Sequence, residues 1–192
     1  VKRMTVCASV FDMMKSAGMD ELWRHSLAVA MTSHTLATRA GLPHQEEVFV
    51  AGLLHDLGQV AMFVKAPDLA MQVEQTLLER DLARAEAEQE VLSLTHAEMA
   101  GWLADHWSLP TSLKEPMMYH HHPALARDTP RQTAIVHVAD ILAKAMACGG
   151  LDTQPVTPLS PEAWKLVNLD DNALAACMEI AARDFDTIDD FL

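Results

Sequence analysis

Ten histidines stand in a chain of 192 residues that carries a formal charge of −13, and their placement says more than their number. A neutral imidazole offers one nitrogen lone pair and a carboxylate two oxygens, so His and Asp side chains brought to one point hold a divalent cation. Asp140 is the sharpest single residue. It lies in Ile135-Val-His-Val-Ala-Asp-Ile-Leu142, in phase with Val136 and Ala143, on a face expected to be inside. An isolated buried carboxylate is very costly, so Asp140 calls for a cation or a network of donors, and His137 is placed to supply that network without any metal. His55 and Asp56 close the apolar stretch Ala51-Gly-Leu-Leu-His-Asp-Leu-Gly58. Adjacent side chains diverge on a regular helix, but at a helix end the backbone can turn both toward one point, where Asp56 has oxygens enough to bridge two cations. A simple helix-end capping pair is the competing reading.

The other histidines sort by helical phase. His25 shares a stripe with Leu22, Val29, Ser33 and Leu36, and taken alone it reads as a hydrogen-bonded core imidazole. His34 lies about half a turn out of phase with it and cannot serve the same site. His96 opens a helix on the stripe of Met99, Ala100, Leu103 and Trp107, while His106 is rotated off that stripe. His120, His121 and His122 run consecutively into Pro123.

The elements that must position these groups are helices. Ala, Leu, Met and Glu dominate while Gly (7) and Pro (9) are sparse, a composition that favours helix before any pattern is considered. Periodicity and turn signals predict helices over 5–16, 20–40 (with Asp20 as N-cap), 45–56 (with a turn permitted at Gly58), 67–92 as one helix or a pair, 95–107 (capped by Thr95), 111–121, 130–148, 161–167 and 171–185. The segment 149–160 is the one linker-like stretch. No strand pair or internal repeat is evident. Half of the residues are apolar, ample for one cored domain and short for two.

The acidic balance argues against nucleic acid as a partner, since a polyanion would be repelled. Cys7, Cys148 and Cys177 have no paired spacing, which implies reduced thiols in a cytoplasmic protein rather than a disulfide framework. The best apolar run, 134–148, is interrupted by His137, Asp140 and Lys144, so no membrane span is expected. The chain opens inside an amphipathic pattern and is expected to be cut from something longer.

The order His25, His55-Asp56, His96, His120-His121, Asp140 resembles the HD superfamily of metal-dependent phosphohydrolases, and in detail its HDOD branch, a relative of the HD-GYP group. The similar text is Leu22-Trp-Arg-His-Ser-Leu27, Val50-Ala-Gly-Leu-Leu-His-Asp-Leu-Gly58, Glu88-Gln-Glu-Val-Leu-Ser-Leu-Thr-His96, the following stretch Ala97 to Pro110, Tyr119-His-His-His-Pro123 and Val136-His-Val-Ala-Asp-Ile-Leu142. The resemblance covers about residues 5–148. It implies an all-α, HD-domain-like helical bundle with a metal site on its axis, a domain over 1–148 whose N-terminal lobe is largely missing, and a linker with C-terminal helices over 149–192 packing on it. It further implies that His25, His55, Asp56 and Asp140 bind one metal, and that His96, His120 and His121 surround a second with Asp56 bridging, leaving His122 as a neighbour. One or two divalent ions are expected, drawn from Fe, Mn, Zn or Ni.

Two departures bear on activity. Gln59 stands where the family commonly has a Lys, and the Gly-Tyr-Pro signature of cyclic-dinucleotide hydrolysis is absent after His122. HDOD domains resemble signalling output modules, so the expected function is a metal-binding output or regulatory domain of bacterial signal transduction, with a signalling protein as partner and a small phosphorylated ligand as a further possibility. The alternative is an active phosphohydrolase, in which a metal-bridged hydroxide attacks a phosphoester. Hydrolysis needs cations around the phosphate, and near the motifs the sequence offers Arg24, Lys65, Lys114, Arg127 and Arg131, a thin supply that favours signalling.

Overall fold

In a computed structural model, which describes residues 14, 19–80, 82–146 and 157–189, every regular element is helical. The predicted helix over 5–16 lies outside the described residues except for Met14, which is buried. Helix α1 spans Asp20–Arg39 and buries the whole predicted stripe, His25 included, together with Ala28, Ala30 and Thr32. The buried face is wider than one stripe because α1 has neighbours on several sides. Met19, not Asp20, is the N-cap, and Asp20 sits in the first turn instead, where a carboxylate complements the helix dipole. After the C-cap Ala40, Gly41 takes φ +66° and reverses the chain, the left-handed step that glycine makes without steric cost.

Helix α2 (Gln45–Leu54) runs into a turn at His55 and Asp56, and α3 (Leu57–Lys65) starts directly after it. The turn therefore comes two residues before Gly58, which lies inside α3. A Cβ at Gly58 would fall 1.9 Å from the carbonyl oxygen of His96, so glycine is present there for a close crossing of helices. Residues 45–65 are long and apolar enough to cross a membrane by length and composition, but most of that stretch is buried inside the protein.

The 67–92 region resolves into a pair, α4 (Pro67–Glu79) and α5 (Arg84–Leu92). The pair packs around a small cluster of its own, Met62, Ala70, Val73 and Ala87, and Arg84 bonds Glu74 through both carboxylate oxygens. Helix α6 (His96–His106) opens with the expected Thr95, whose hydroxyl accepts from the Glu98 N–H while Glu98 accepts from the Thr95 N–H. Its buried face corrects the predicted stripe. His96, Ala97, Ala100, Gly101 and Ala104 are inside, Met99 and Leu103 are half-buried, and Trp107 is exposed. Small residues let α3 and α7 approach on that side, and they outvote the bulky ones in setting which face is covered.

Helix α7 (Thr111–Tyr119) leads through a 3-10 turn (Pro123–Leu125) to α8 (Pro130–Ala145), then α9 (Pro161–Val167) and α10 (Asp171–Asp189). Helix α8 is the hub: it packs against α1, α2, α7 and α9, and α10 lies on α1. One core holds Val29, Leu36, Leu54, Leu113, Met117 and Ile135, and Ala163, Val167 and Cys177 of the C-terminal helices join it.

The N-terminus of α8 is held by a buried carboxylate. Glu115, on α7, accepts from the backbone N–H groups of Arg127 (3.0 Å), Asp128 (3.1 Å) and Thr129 (2.7 Å) and from the Thr129 hydroxyl (2.9 Å). Burial pushes its carboxyl up, but these donors more than offset that and hold it below its ordinary 4.5. A folded value below the unfolded one means stabilisation that is complete above the unfolded value and lost as pH falls through the folded one. Glu115→Gln is therefore expected to lower stability by about 1–3 kcal/mol at neutral pH. The gap in urea midpoints should close as pH is lowered toward about 3; a gap independent of pH would show that charge is not what holds this helix end.

Candidate metal centre

The helix ends and faces described above bring His25 (α1), His55 and Asp56 (the α2–α3 turn), His96 (start of α6), His120 and His121 (end of α7) and Asp140 (mid-α8) into one cluster. Every one of these residues is at most 3% exposed except His121, which is half-buried. Asp56 stands at the centre with its two oxygens facing opposite ways. Oδ2 is 3.2 Å from His55 Nε2 and 3.8 Å from His25 Nε2. Oδ1 is 3.2 Å from His96 Nε2 and 3.7 Å from His120 Nε2. On the first side Asp140 Oδ1 lies 3.0 Å from His25 Nε2 and 3.8 Å from His55 Nε2. On the second, His96 Nε2 lies 3.0 Å from His121 Nε2 and 3.4 Å from His120 Nε2.

Ring orientation is fixed from behind. The Nδ1–H of His55 donates to the Gly52 carbonyl (2.7 Å), that of His120 to the Met117 carbonyl (3.0 Å), and that of His96 to Glu88 Oε2 (2.7 Å). With Nδ1 spent as a donor, each ring turns its Nε2 to the centre, which is the arrangement that metal-ligating histidines show. The atoms left over test whether a cation fits. His25 Nε2, His55 Nε2 and Asp140 Oδ1 are fully buried and have no hydrogen bond. They belong to a set whose ligand atoms all lie within 4.8 Å of one another, and His96, His120 and His121 form a second such set. Buried polar atoms go unpartnered rarely. Acceptors converging on one point are satisfied together by a cation, and both groups could hold a metal ion.

The charges agree. Burial raises the carboxyl of Asp56, but the His55 and His96 imidazoles outweigh it and hold Asp56 well below the usual range. Asp140 is likewise held down, against burial, by the Lys144 ammonium and by His25. Burial depresses His25 and, with the His121 and His55 rings beside it, His120 far more. His121 falls to about 3, first through burial and then through His96. His96 goes the other way, to about 9, because Glu88 and Asp56 overcome its burial. Of the five rings, His25, His120 and His121 are thus held toward the neutral form that ligates, while His55, like His96, is raised against its burial, chiefly by Asp56.

Sequence reasoning missed three contributors. Lys144 sits one turn beyond Asp140, nine-tenths buried, with its Nζ 2.9 Å from Asp140 Oδ2; the i, i+4 spacing of Asp and Lys on one helix was the available signal. Glu88 is fully buried and accepts from both the backbone N–H and the ring of His96. Thr157 approaches His121 Nδ1 at 3.4 Å. His137 does not serve Asp140: its Nδ1–H donates to the His120 carbonyl (2.7 Å) and its Nε2 accepts from the Ser160 N–H (3.0 Å), which ties α8 to the turn after α7 and to the start of α9. His34, His106 and His122 are exposed and outside the cluster. Gln59 is buried at 7% exposure. His121 and His122 line two surface cavities, of which one reaches Gln89, Thr95 and Tyr119 and the other Ala124 and Ser160.

Comparison with known proteins places this arrangement. Residues 1–123 match the HDOD domain family. A crystal structure of an HDOD domain protein of unknown function from Geobacter sulfurreducens is 26% identical and superposes with a TM-score of 0.69 over 88% of this chain and 59% of that one. A Marinobacter aquaeolei VT8 protein described as a candidate signal transduction protein, 18% identical, superposes at 0.77 over 88% of this chain and 38% of its own. A candidate phosphohydrolase from Shewanella amazonensis SB2B, 22% identical, does so at 0.59 over 83% and 62%. An uncharacterised protein of Treponema pallidum (strain Nichols) is 27% identical over 74 residues, 38% of this chain and 14% of that protein. The chain thus spans under two thirds of each of these relatives. The family match covers well over half of the chain, and its histidines and aspartates stand where the fold brings them together: the chain belongs to the HDOD domain family.

Proposed function

We propose that this protein is a metal-binding output or regulatory domain of bacterial signal transduction. In this reading His25, His55, Asp56 and Asp140 hold one divalent ion, and Asp56, His96, His120 and His121 a second. The observation that carries it is the division of Asp56, with one oxygen turned to each histidine group. Nitrogen and oxygen donors without a thiolate suit Fe, Mn, Zn or Ni. The name of the Marinobacter relative favours signalling, and the working partner would be another cytoplasmic protein. The domain proper would be 1–148, with 149–192 as a linker and packing helices.

Phosphoester hydrolysis is the second reading, and a specific observation favours it: the cluster does contain a cation, Lys144, and one structural relative is described as a candidate phosphohydrolase. Bound divalent ions supply Lewis acidity and lower the pKa of water. The chain's own part would be to hold Asp56 and Asp140 ionised, keep the imidazoles in one tautomer through Gly52, Met117 and Glu88, and exclude bulk water.

Elemental analysis of protein purified without added metal tests the shared premise. Ligands spread over several helices cannot meet in the unfolded chain, so binding adds to folding stability. A hundredfold excess over Kd adds about 2.7 kcal/mol, and each kcal/mol moves a domain of this size by about 2–4 °C, so EDTA is expected to lower the melting temperature by roughly 5–10 °C. Metal-free protein whose melting curve EDTA leaves unmoved would refute the proposal.

A further inference from the structure

We propose that residues 157–160, just ahead of α9, form a strap across the open edge of the His/Asp cluster, and that undocking of α9 from α8 is what opens it. The closure rests on contacts within the chain and holds whether or not an ion is bound.

His121 marks the open edge. Every other member of the cluster is at most 3% exposed, while His121 is half-buried and lines a surface cavity of about 310 Å³. The strap supplies another part of that wall. Ser160 lines the same cavity, and the Thr157 hydroxyl lies 3.4 Å from His121 Nδ1. Between these two residues Pro158 and Leu159 are exposed, so the strap is held at its ends and not by apolar burial of its own. At the Ser160 end the hold is an imidazole. His137 Nε2 accepts from the Ser160 N–H at 3.0 Å, while its Nδ1–H donates to the His120 carbonyl at 2.7 Å. One ring thus fixes the strap and the turn that carries two of the cluster's histidines.

Helix α9 is the element that can carry the strap away. It has seven residues, of which Ala163 and Val167 are buried. A helix shorter than about 12 residues is marginal in water by itself, so α9 persists by docking, and elements of this kind open locally at less than the cost of global unfolding. Its far end is pinned: the Arg131 guanidinium donates to the Leu166 carbonyl (3.3 Å) and to the Ala40 carbonyl (3.0 Å), and α10 beyond it lies on α1. Its near end begins at Ser160, whose hydroxyl accepts from the Ala163 N–H at 3.2 Å. The near end is therefore the one that lifts, and it takes the strap with it.

Carbethoxylation by diethyl pyrocarbonate, read ring by ring by mass spectrometry, tests this; EDTA is present so that no bound ion masks a ring. In wild type His121 is expected to react well below the rate of its exposed neighbour His122. Ser160→Ala removes the cap of α9, and His121 should then react about 5-fold faster, with the fully buried His25 still unreacted. Ser160→Thr keeps a capping hydroxyl and should stay near wild type. Val73→Ala, in the separate cluster under α4 and α5, should leave the His121 rate unchanged. Equal rates for His121 and His122 in wild type would overturn the strap, as would a His121 rate unmoved by Ser160→Ala. A rise shared by His25 or reproduced by Val73→Ala would mean general opening and would overturn it too. None of these outcomes touches the metal reading, which elemental analysis decides separately.

Discussion

Asp56→Ala is expected to strip the protein of both ions, while His96→Ala releases one and leaves the other in place. Asp56 is the carboxylate that faces both histidine groups, with distances of 3.2 Å to each side. Removing it takes the shared ligand from each ion, leaving Asp140 as the lone carboxylate of the first group and the three imidazoles of the second with no carboxylate facing their Nε2 atoms. His96 belongs to one group only, beside His120 and His121, and its loss leaves all four proposed ligands of the other ion, His25, His55, Asp56 and Asp140, in place. Elemental analysis of the two variants beside wild type measures this directly. His34→Ala and His106→Ala serve as controls, because both rings are exposed and outside the cluster. Equal metal loss in all four variants would mean general unfolding, and the assignment of faces would have no support.

Gly58→Ala should be among the most damaging single-methyl changes available. The added Cβ would lie 1.9 Å from the His96 carbonyl oxygen, 2.7 Å from its carbon and 2.9 Å from its Cα, all backbone atoms that cannot swing aside. Alanine is the better helix former by about 1 kcal/mol, but overpacking against backbone costs about 1–3 kcal/mol or more, so the clash wins. A net loss of roughly 2 kcal/mol is expected, together with weaker binding of the proposed second ion, because the residue pushed away belongs to the His96, His120, His121 group. Gly101→Ala is the contrast. Its Cβ would meet the Met118 side chain at 2.8 Å, a flexible group that can change rotamer, and stability should stay within about 1 kcal/mol. Denaturant midpoints for the pair decide the matter; equal effects would remove the helix-crossing role given to Gly58.

The helical class and the approximate element limits were legible in the sequence because hydrophobic period and turn residues act locally. The limits of α9, for instance, follow from Pro161 at its start, and the predicted 161–167 is what the structure shows. The residues of the cluster were legible too, since His55-Asp56, His96 and His120-His121 occur in text that resembles a known family. What escaped depends on packing. The stripe on α6 was assigned from Leu103 and Trp107, yet a helix crossing governed by Gly58, Ala97, Ala100 and Gly101 selects small residues, whose hydrophobic signal is weak. Lys144 was counted only as an interruption of an apolar run, because a lysine becomes an inner residue only when a buried carboxylate stands one turn before it. Glu88 is separated from His96 by a turn that periodicity cannot fold. His137 seemed the natural partner of Asp140 from spacing, but the His120 carbonyl and the Ser160 N–H, from other parts of the chain, occupy both of its nitrogens.

Glu88 belongs to α5, a helix whose apolar contacts are shared mainly with α4 around a small cluster separate from the main core. Its carboxylate reaches out of that subsidiary cluster to fix the ring and backbone of His96. The α4–α5 pair is therefore joined to the His96 group through the Glu88 carboxylate as well as through the packing of Met62 and Met99 on the small cluster, and thermodynamic reciprocity applies to whatever acts at either end. If the His96 group holds an ion as proposed, any shift of α5 that moves Glu88 would change the affinity for that ion, and occupancy of the ion would oppose or favour the same shift by an equal factor. The packing of α4 on α5 and the metal supply would then be two inputs to one equilibrium.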